Sequence, residues 1–311
     1  MRRFKNILFV FEDSIDNNAA LERAADLAAR NGAALTLVHA LEVTPGHETV
    51  QSHWGELVTD WRGHLEAAAA SIAERRVEVA TDVLTGIPFR EIIAYVLRGE
   101  IDLVVKAAAK PGGPRNLIFG SLDLHLMRKC PAPVWVHQAR GDAPGYGRIM
   151  AAIDVGDTSE VGRTMTRFVL DLATSLGQLD DSDVHVVHAW SSVGERMAKA
   201  SRRGLLPVDE IQRGVEAEAA ERQKLFGEAV TPYLELPVRL HLHLVHGDPR
   251  EALPLFARER EVDLIVMGTL ARTGVPGFFM GNTAEDILRQ VDASVLTLKP
   301  VGFVSPVAAS A

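Results

Sequence analysis

Apolar positions along this chain follow two spacings in turn. Residues 7–11 (Ile-Leu-Phe-Val-Phe) form an unbroken apolar run that stops at Glu12-Asp13. A run too short for a helix and closed by charge predicts a strand buried on both faces. Over residues 17–30, Ala19, Leu21, Ala24, Ala25, Leu27 and Ala28 fall at helical spacing, and Gly32 stops the helix. The alternation continues with a strand over 34–40, a helix over 56–75, a strand over 77–84, a helix over 90–97, a strand over 101–106, a helix over 122–128 and a strand over 134–137. Strands alternating with helices predict a doubly wound parallel α/β sheet.

Residues 138–147 hold Gly141, Pro144, Gly145 and Gly147 and few apolar side chains, the composition of a linker. The chain divides on this reading into 1–140, a linker at 141–147, and 148–311. Beyond it the pattern starts again. Residues 149–153, ending at Asp154, repeat 7–11, ending at Glu12. Val187-His188-Ala189 repeats Val38-His39-Ala40, and Val295-Leu296 repeats Val134-Trp135. The offset is 142 at the first strand, 149 at the second, then 161 at Gly86/Gly247, Asp102/Asp263 and Gly120/Gly281. A constant offset over the last third of each half marks an internal duplication. The second half's extra residues are expected in a loop over 177–183 and in a long amphipathic helix over 208–234, facing the core.

Composition narrows the function. A length of 311 residues fits two domains, and 47% apolar residues with only 6% aromatic ones fit aliphatic cores. A formal charge of -8 argues against a nucleic-acid backbone and an anionic membrane as partners. The single cysteine, Cys130, rules out an internal disulfide and fits a reducing, cytoplasmic setting. No apolar run approaches the ~18 residues that would span a bilayer.

The stretch 267–285 carries the candidate chemistry. An apolar run feeds a loop with Gly268, Gly274 and Gly277, and Gly281 precedes a helix opening Asn282-Thr283-Ala284-Glu285. Glycines let backbone N–H groups turn inward, and a helix start adds unpaired donors and the positive end of a dipole. Strand, glycine loop and helix start can cradle a phosphate; the same glycines can simply shape a turn. In a parallel sheet, ligands bind at the strand C-termini, at the switch point in strand order. That edge of the second half would collect Asp154, the backbone at Val187 and Ala189, Gly247-Asp248, Gly268, Arg272, Gly281, Asn282 and Thr283. Arg272 adds a charge-assisted contact. Asp154 either positions a metal or sugar, or caps its own loop.

The first half has Ala107, Lys110 and Pro111 where the second has Gly268, Ala271 and Arg272. Pro111 and Pro114 remove two donors, so this half is not expected to hold a nucleotide in the same way. His241 and His243 share a strand face, with His246 on the other, and His185 and His188 also face apart. They read as edge-strand histidines or as two ligands of a zinc site lacking its third. Cys130, beside Pro131, reads as a packed thiol. No Ser/His/Asp or Cys/His set converges, and no catalytic residue is assigned.

Gly268, Ala271 and Gly281-Asn282 stand at the spacing of the Gly-x2-Gly-x9-Gly-Ser/Thr pattern that follows the fourth strand of universal stress proteins. The sequence departs from it at Ala271 and Asn282, with Thr283 adjacent. The duplication, the run Gly-Asn-Thr-Ala-Glu, and Arg128-Lys129-Cys130-Pro131 ahead of Pro133-Val134-Trp135 resemble the tandem E-type members. The resemblance covers nearly the whole chain. It implies two five-stranded sheets of order 3-2-1-4-5, of the adenine-nucleotide alpha-hydrolase-like kind. It implies fifth strands that pair within the chain, residues 134–137 against 295–298, and leaves homodimerisation open. It implies a cytoplasmic stress-response binding or signalling protein, not a dedicated enzyme, with ATP, and Mg with it, as the ligand of the second domain. The alternative is a chaperone-like, lipid-binding or metal-binding stress protein without a nucleotide. The apolar Phe278, Phe279 and Met280 beside the loop motivate that alternative.

Overall fold

The computed structural model describes residues 4–12, 17–42, 53–108, 119–139, 145–200, 208–269 and 280–307. The first repeat runs β1 (Asn6–Val10), α1 (Asn17–Asn31), β2 (Ala34–Glu42), α2 (Trp54–Ser71), β3 (Val79–Gly86), α3 (Pro88–Arg98), β4 (Leu103–Ala107), α4 (Ser121–Lys129) and β5 (Val134–His137). The second runs β6 (Arg148–Ala152), α5 (Glu160–Asp180), β7 (Asp183–Trp190), α6 (Val193–Ala200), α7 (Val208–Val230), β8 (Arg239–His246), α8 (Pro249–Glu259), β9 (Leu264–Gly268), α9 (Asn282–Leu288) and β10 (Ser294–Leu298).

These elements pack as two compact units. One holds β1 to β5 with α1 to α4 and takes in β10 from the far end of the chain; the other holds β6 to β9 and α5 to α9. In the first unit the strand order is β3-β2-β1-β4-β5-β10. Its first five strands are parallel, in the expected order 3-2-1-4-5, and β10 runs antiparallel to β5 with Leu296 opposite Trp135. In the second unit β9-β6-β7-β8 are parallel, the same order for its first four strands. The central strands are buried on both faces, as their unbroken apolar runs require: Ile7 to Val10 in β1 and Leu264 to Met267 in β9 are all in the core.

The duplication is written in hydrogen bonds as well as in residues. Asp102 accepts the N–H groups of Lys5 (2.6 Å) and Asn6 (3.2 Å), and so clamps the start of β1. Asp263 accepts those of Gly147 (2.9 Å) and Arg148 (2.8 Å) at the start of β6. His39 Nδ1 meets the Phe11 carbonyl oxygen at 2.8 Å, and His188 Nδ1 meets that of Ile153 at 3.0 Å. Gly86 and Gly247 both have positive φ, +145° and +156°, at the turn into α3 and α8.

One expectation is corrected. Residues 177–180 are not a loop: α5 continues through Gly177 to Asp180. Gly32 stops α1 because it takes φ +60°. Gly177 instead lies within the helix, and it is glycine for a packing reason: a Cβ there would lie 2.4 Å from Val184 Cγ2. Its bare backbone is what lets α5 approach β7. The helix expected over 208–234 ends at Val230 and passes into a 3₁₀ turn, Thr231–Tyr233. It buries Phe226 and Val230, so its apolar stripe faces the core.

Candidate functional site

The C-terminal edge of the second unit's sheet collects most of the residues picked out from the sequence. Ala152 of β6 is level with Val187 of β7 and Met267 of β9. Asp154 therefore lies just past the end of β6, level with Ala189 of β7 and one residue beyond the level of Gly268 in β9. Val187 is fully buried, and its carbonyl accepts the Ile153 N–H at 3.0 Å. Asp154 is half-buried, and its Oδ1 accepts the Gly156 N–H at 3.0 Å, the loop-capping role. Asp248 caps α8 by accepting the Arg250 N–H at 3.0 Å. Gly268 has a packing reason to be glycine: a Cβ would meet Met165 Cγ at 3.1 Å.

Gly281 is the N-cap of α9 and is buried, while Asn282 and Thr283 are exposed. The N-cap, a glycine, has no side chain with which to cap this helix start. Its first-turn N–H groups have no carbonyl within the helix to bond, so they face outward as donors. Arg272, with Ala271, Phe278 and Phe279, lies outside the described residues.

The equivalent place in the first unit is closed. Gly120 is the N-cap of α4, and its N–H is taken by Asp123 Oδ2 at 2.7 Å. Asp123 Oδ1 in turn accepts from Lys106 Nζ at 2.5 Å, and Lys106 also reaches Glu12 Oε2 at 2.7 Å and the Ala107 carbonyl at 2.9 Å. Lys106 and Asp123 are both buried. Burial works against charge on Lys106, but the carboxylates of Asp123 and Glu12 outweigh it and raise its pKa. Burial pushes the Asp123 carboxyl up, against the pull of the ammonium. At the offset of 161 the two positions become Met267 and Ala284, so this ionic lock has no counterpart in the second unit.

Above the lock, the first unit has a pocket of about 340 Å³ walled by Glu12, His39, Glu42, Ile87, Phe89 and His125. The Trp61 ring stacks on His39 at 3.4 Å, and His125 stacks on Phe89 at 4.4 Å. Burial, with Lys129 and Arg128 nearby, lowers the His125 pKa, which keeps the ring neutral. Its Nδ1 is buried without a hydrogen-bond partner among the described residues.

One polar grouping escaped the sequence reading, and a second was read there only strand by strand. Ser192 and Glu195 form a reciprocal cap at the start of α6: Glu195 N donates to Ser192 Oγ (3.0 Å) and Ser192 N to Glu195 Oε2 (3.1 Å). His246 Nε2 adds a contact of 2.8 Å to the same carboxylate, which helps hold the Glu195 pKa down despite partial burial. The Ser-x-x-Glu spacing was the available signal. The carboxylate stands between hydroxyl and imidazole, so the three are not arranged for nucleophilic catalysis. The second grouping is on the β7–β8 face. His185 Nδ1 lies 3.1 Å from His243 Nε2, and its ring stacks on His241 at 4.9 Å. Burial and these two neighbours bring His185 down to about 4. Among the described residues no group of three or more His, Cys, Asp or Glu side chains is placed to hold a metal ion. Cys130 is fully buried, which pushes its thiol up to about 12, as a packed, unreactive cysteine requires. No described helix is long and apolar enough to cross a membrane.

The universal stress protein family model matches residues 3–138 and again 145–299. Universal stress protein E of Photorhabdus laumondii is 25% identical over 322 residues, covering 100% of this chain and 99% of that protein. Universal stress protein E of Escherichia coli K12 is 26% identical over 99% of this chain and 98% of its own length. A functionally unknown protein from Pseudomonas aeruginosa PAO1 shares the fold, with a TM-score of 0.73, 23% identity, and 98% of this chain and 95% of that one covered. So does a universal stress protein from Archaeoglobus fulgidus, with a TM-score of 0.63, 17% identity, and coverage of 94% and 98%. With both repeats matched and the whole length aligned, the chain belongs to the universal stress protein family, as a tandem-domain member similar to universal stress protein E.

Proposed function

We propose that this chain is a stress-response binding module, not a dedicated enzyme, and that its second repeat (148–311) carries the nucleotide site while its first (1–140) does not. The observation that carries this reading is the missing lock. In the first unit an internal carboxylate already occupies the helix start where a phosphate would lie. In the second, Met267 and Ala284 stand in place of Lys106 and Asp123, and the N-cap of α9, Gly281, brings no side chain of its own. Donors left open at a helix start attract an anion.

ATP is the ligand assigned, with its phosphates between Gly268 and the Gly281-Asn282-Thr283 turn. Asp154 and the β7 end at Val187 and Ala189 border the sugar and base, and Arg272, in the sequence between Gly268 and Gly281, is the cation assigned to the phosphates. A magnesium ion accompanies the phosphates. The role is to bind and report, with at most slow hydrolysis, because no nucleophile and base are paired at this edge among the described residues.

The test is titration of the full chain with a fluorescent ATP analogue in magnesium buffer. Asn282 is exposed, so Asn282→Asp leaves the fold intact while placing a carboxylate at the helix start. Saturable binding to the parent chain, weakened about tenfold or more in Asn282→Asp, is expected. Absence of saturable binding up to millimolar analogue, or equal binding by the variant, overturns the reading.

A further inference from the structure

We propose that the first unit's pocket is a second, separate ligand site, and that it takes a small aromatic cation, an arylalkylamine or arylamidine, in place of a phosphate-bearing compound. The volume, about 340 Å³, suits a compound of one or two rings.

The walls set the chemistry. Ile87, Phe89, His125 and His39 give an apolar and aromatic lining for a flat ring. The charges run one way. Lys106 balances only one of the two carboxylates it bridges, Glu12 and Asp123, so the floor keeps a formal negative charge. Glu42 adds another at the wall, exposed and with no described side chain paired to it. Among the described residues no lysine or arginine lines the pocket; Lys129 sits 4.1 Å and Arg90 6.0 Å from the Phe89 ring centroid, behind the aromatic wall. A phosphate here would meet two uncompensated carboxylates and a helix start whose cap donor, Gly120 N–H, already serves Asp123. An ammonium meets carboxylates and aromatic faces, both of which attract it.

The proposal is independent of nucleotide binding in the second repeat, since it concerns different residues and a probe of opposite charge. The experiment is isothermal titration of the full chain with tryptamine and, separately, with indole-3-propionate, which presents the same ring with the charge reversed. Glu42→Gln, an exposed substitution that leaves the Lys106 lock untouched, locates the site. Tryptamine is expected to saturate below about 1 mM, indole-3-propionate not to saturate, and Glu42→Gln to weaken tryptamine about fivefold. Equal binding of the two probes, no saturation by tryptamine up to about 5 mM, or an unchanged tryptamine affinity in Glu42→Gln overturns it.

Discussion

Lys106 Nζ stands 2.5 Å from Asp123 Oδ1, and neither side chain meets solvent. The pair joins the end of β4 to the start of α4. A buried pair of this kind resists loss of one partner far more than loss of both, because a lone charge is left without water. Lys106→Met, which strands the buried Asp123 carboxylate, is expected to cost about 3–5 kcal/mol of stability. Lys106→Met with Asp123→Ala, which installs the residues the second repeat carries at Met267 and Ala284, recovers most of that loss. Urea unfolding midpoints of the two single variants and the double variant measure the coupling. Additive losses would mean that the two charges do not act as a unit.

Lys299 links stability to alkaline pH. It is buried, its ammonium contacts the Thr269 hydroxyl, and burial brings its pKa down to about 7, against a raising influence from Cys130. The unfolded value is about 10.4. Between the two, the unfolded chain holds the extra proton, so stability rises with pH by up to about 1.4 kcal/mol per unit. Lys299→Met removes this dependence. Its advantage over the parent chain is expected to be largest at pH 7 and below and to shrink toward pH 10. Paired denaturation curves at pH 7 and 9.5 test this; a gap that stays constant would rule out titration of Lys299 as the cause.

Two helical glycines should respond oppositely to alanine. A Cβ at Gly177 would come within 2.4 Å of Val184 Cγ2 and 2.9 Å of Val238 Cγ2. Gly177→Ala is expected to cost about 1–3 kcal/mol through overpacking. Gly214, in α7, has nothing within 4 Å of the same position. Gly214→Ala is expected to stabilise by about 0.5–1 kcal/mol through helix propensity. Thermal melts of both variants decide it; the same sign at both sites contradicts the packing difference.

The fold was legible because buried parallel strands leave unbroken apolar runs, and because the copies at Asp102/Asp263 and Gly86/Gly247 keep one offset. Local signals failed where the reason was tertiary. Gly177 carries the mark of a helix stop, yet it lies within α5 and is glycine because Val184 leaves no room for a side chain. Lys106 looks like the polar end of a strand, and nothing in its neighbours names Asp123, 17 residues on, as its partner. His185, His241 and His243 converge through the pairing of His185 with His241 across β7 and β8, which no single strand reveals. At the candidate site the glycines were readable as backbone freedom, but at Gly268 the structure adds a packing cause, the approach of Met165.

The antiparallel pairing of β10 with β5 has a consequence for synthesis. The first repeat leaves the ribosome with β5 as an open sheet edge, because the strand that covers it begins at Ser294. At about 5–20 residues per second, the roughly 150 residues in between take on the order of 10–30 s to make. During that interval an exposed strand edge is a template for pairing with another nascent chain. Pro131 and Pro133, directly ahead of β5, shorten the run of backbone donors on offer. A strand translated long after the first repeat, β10, is thus the one that shields that repeat from its neighbours on the polysome.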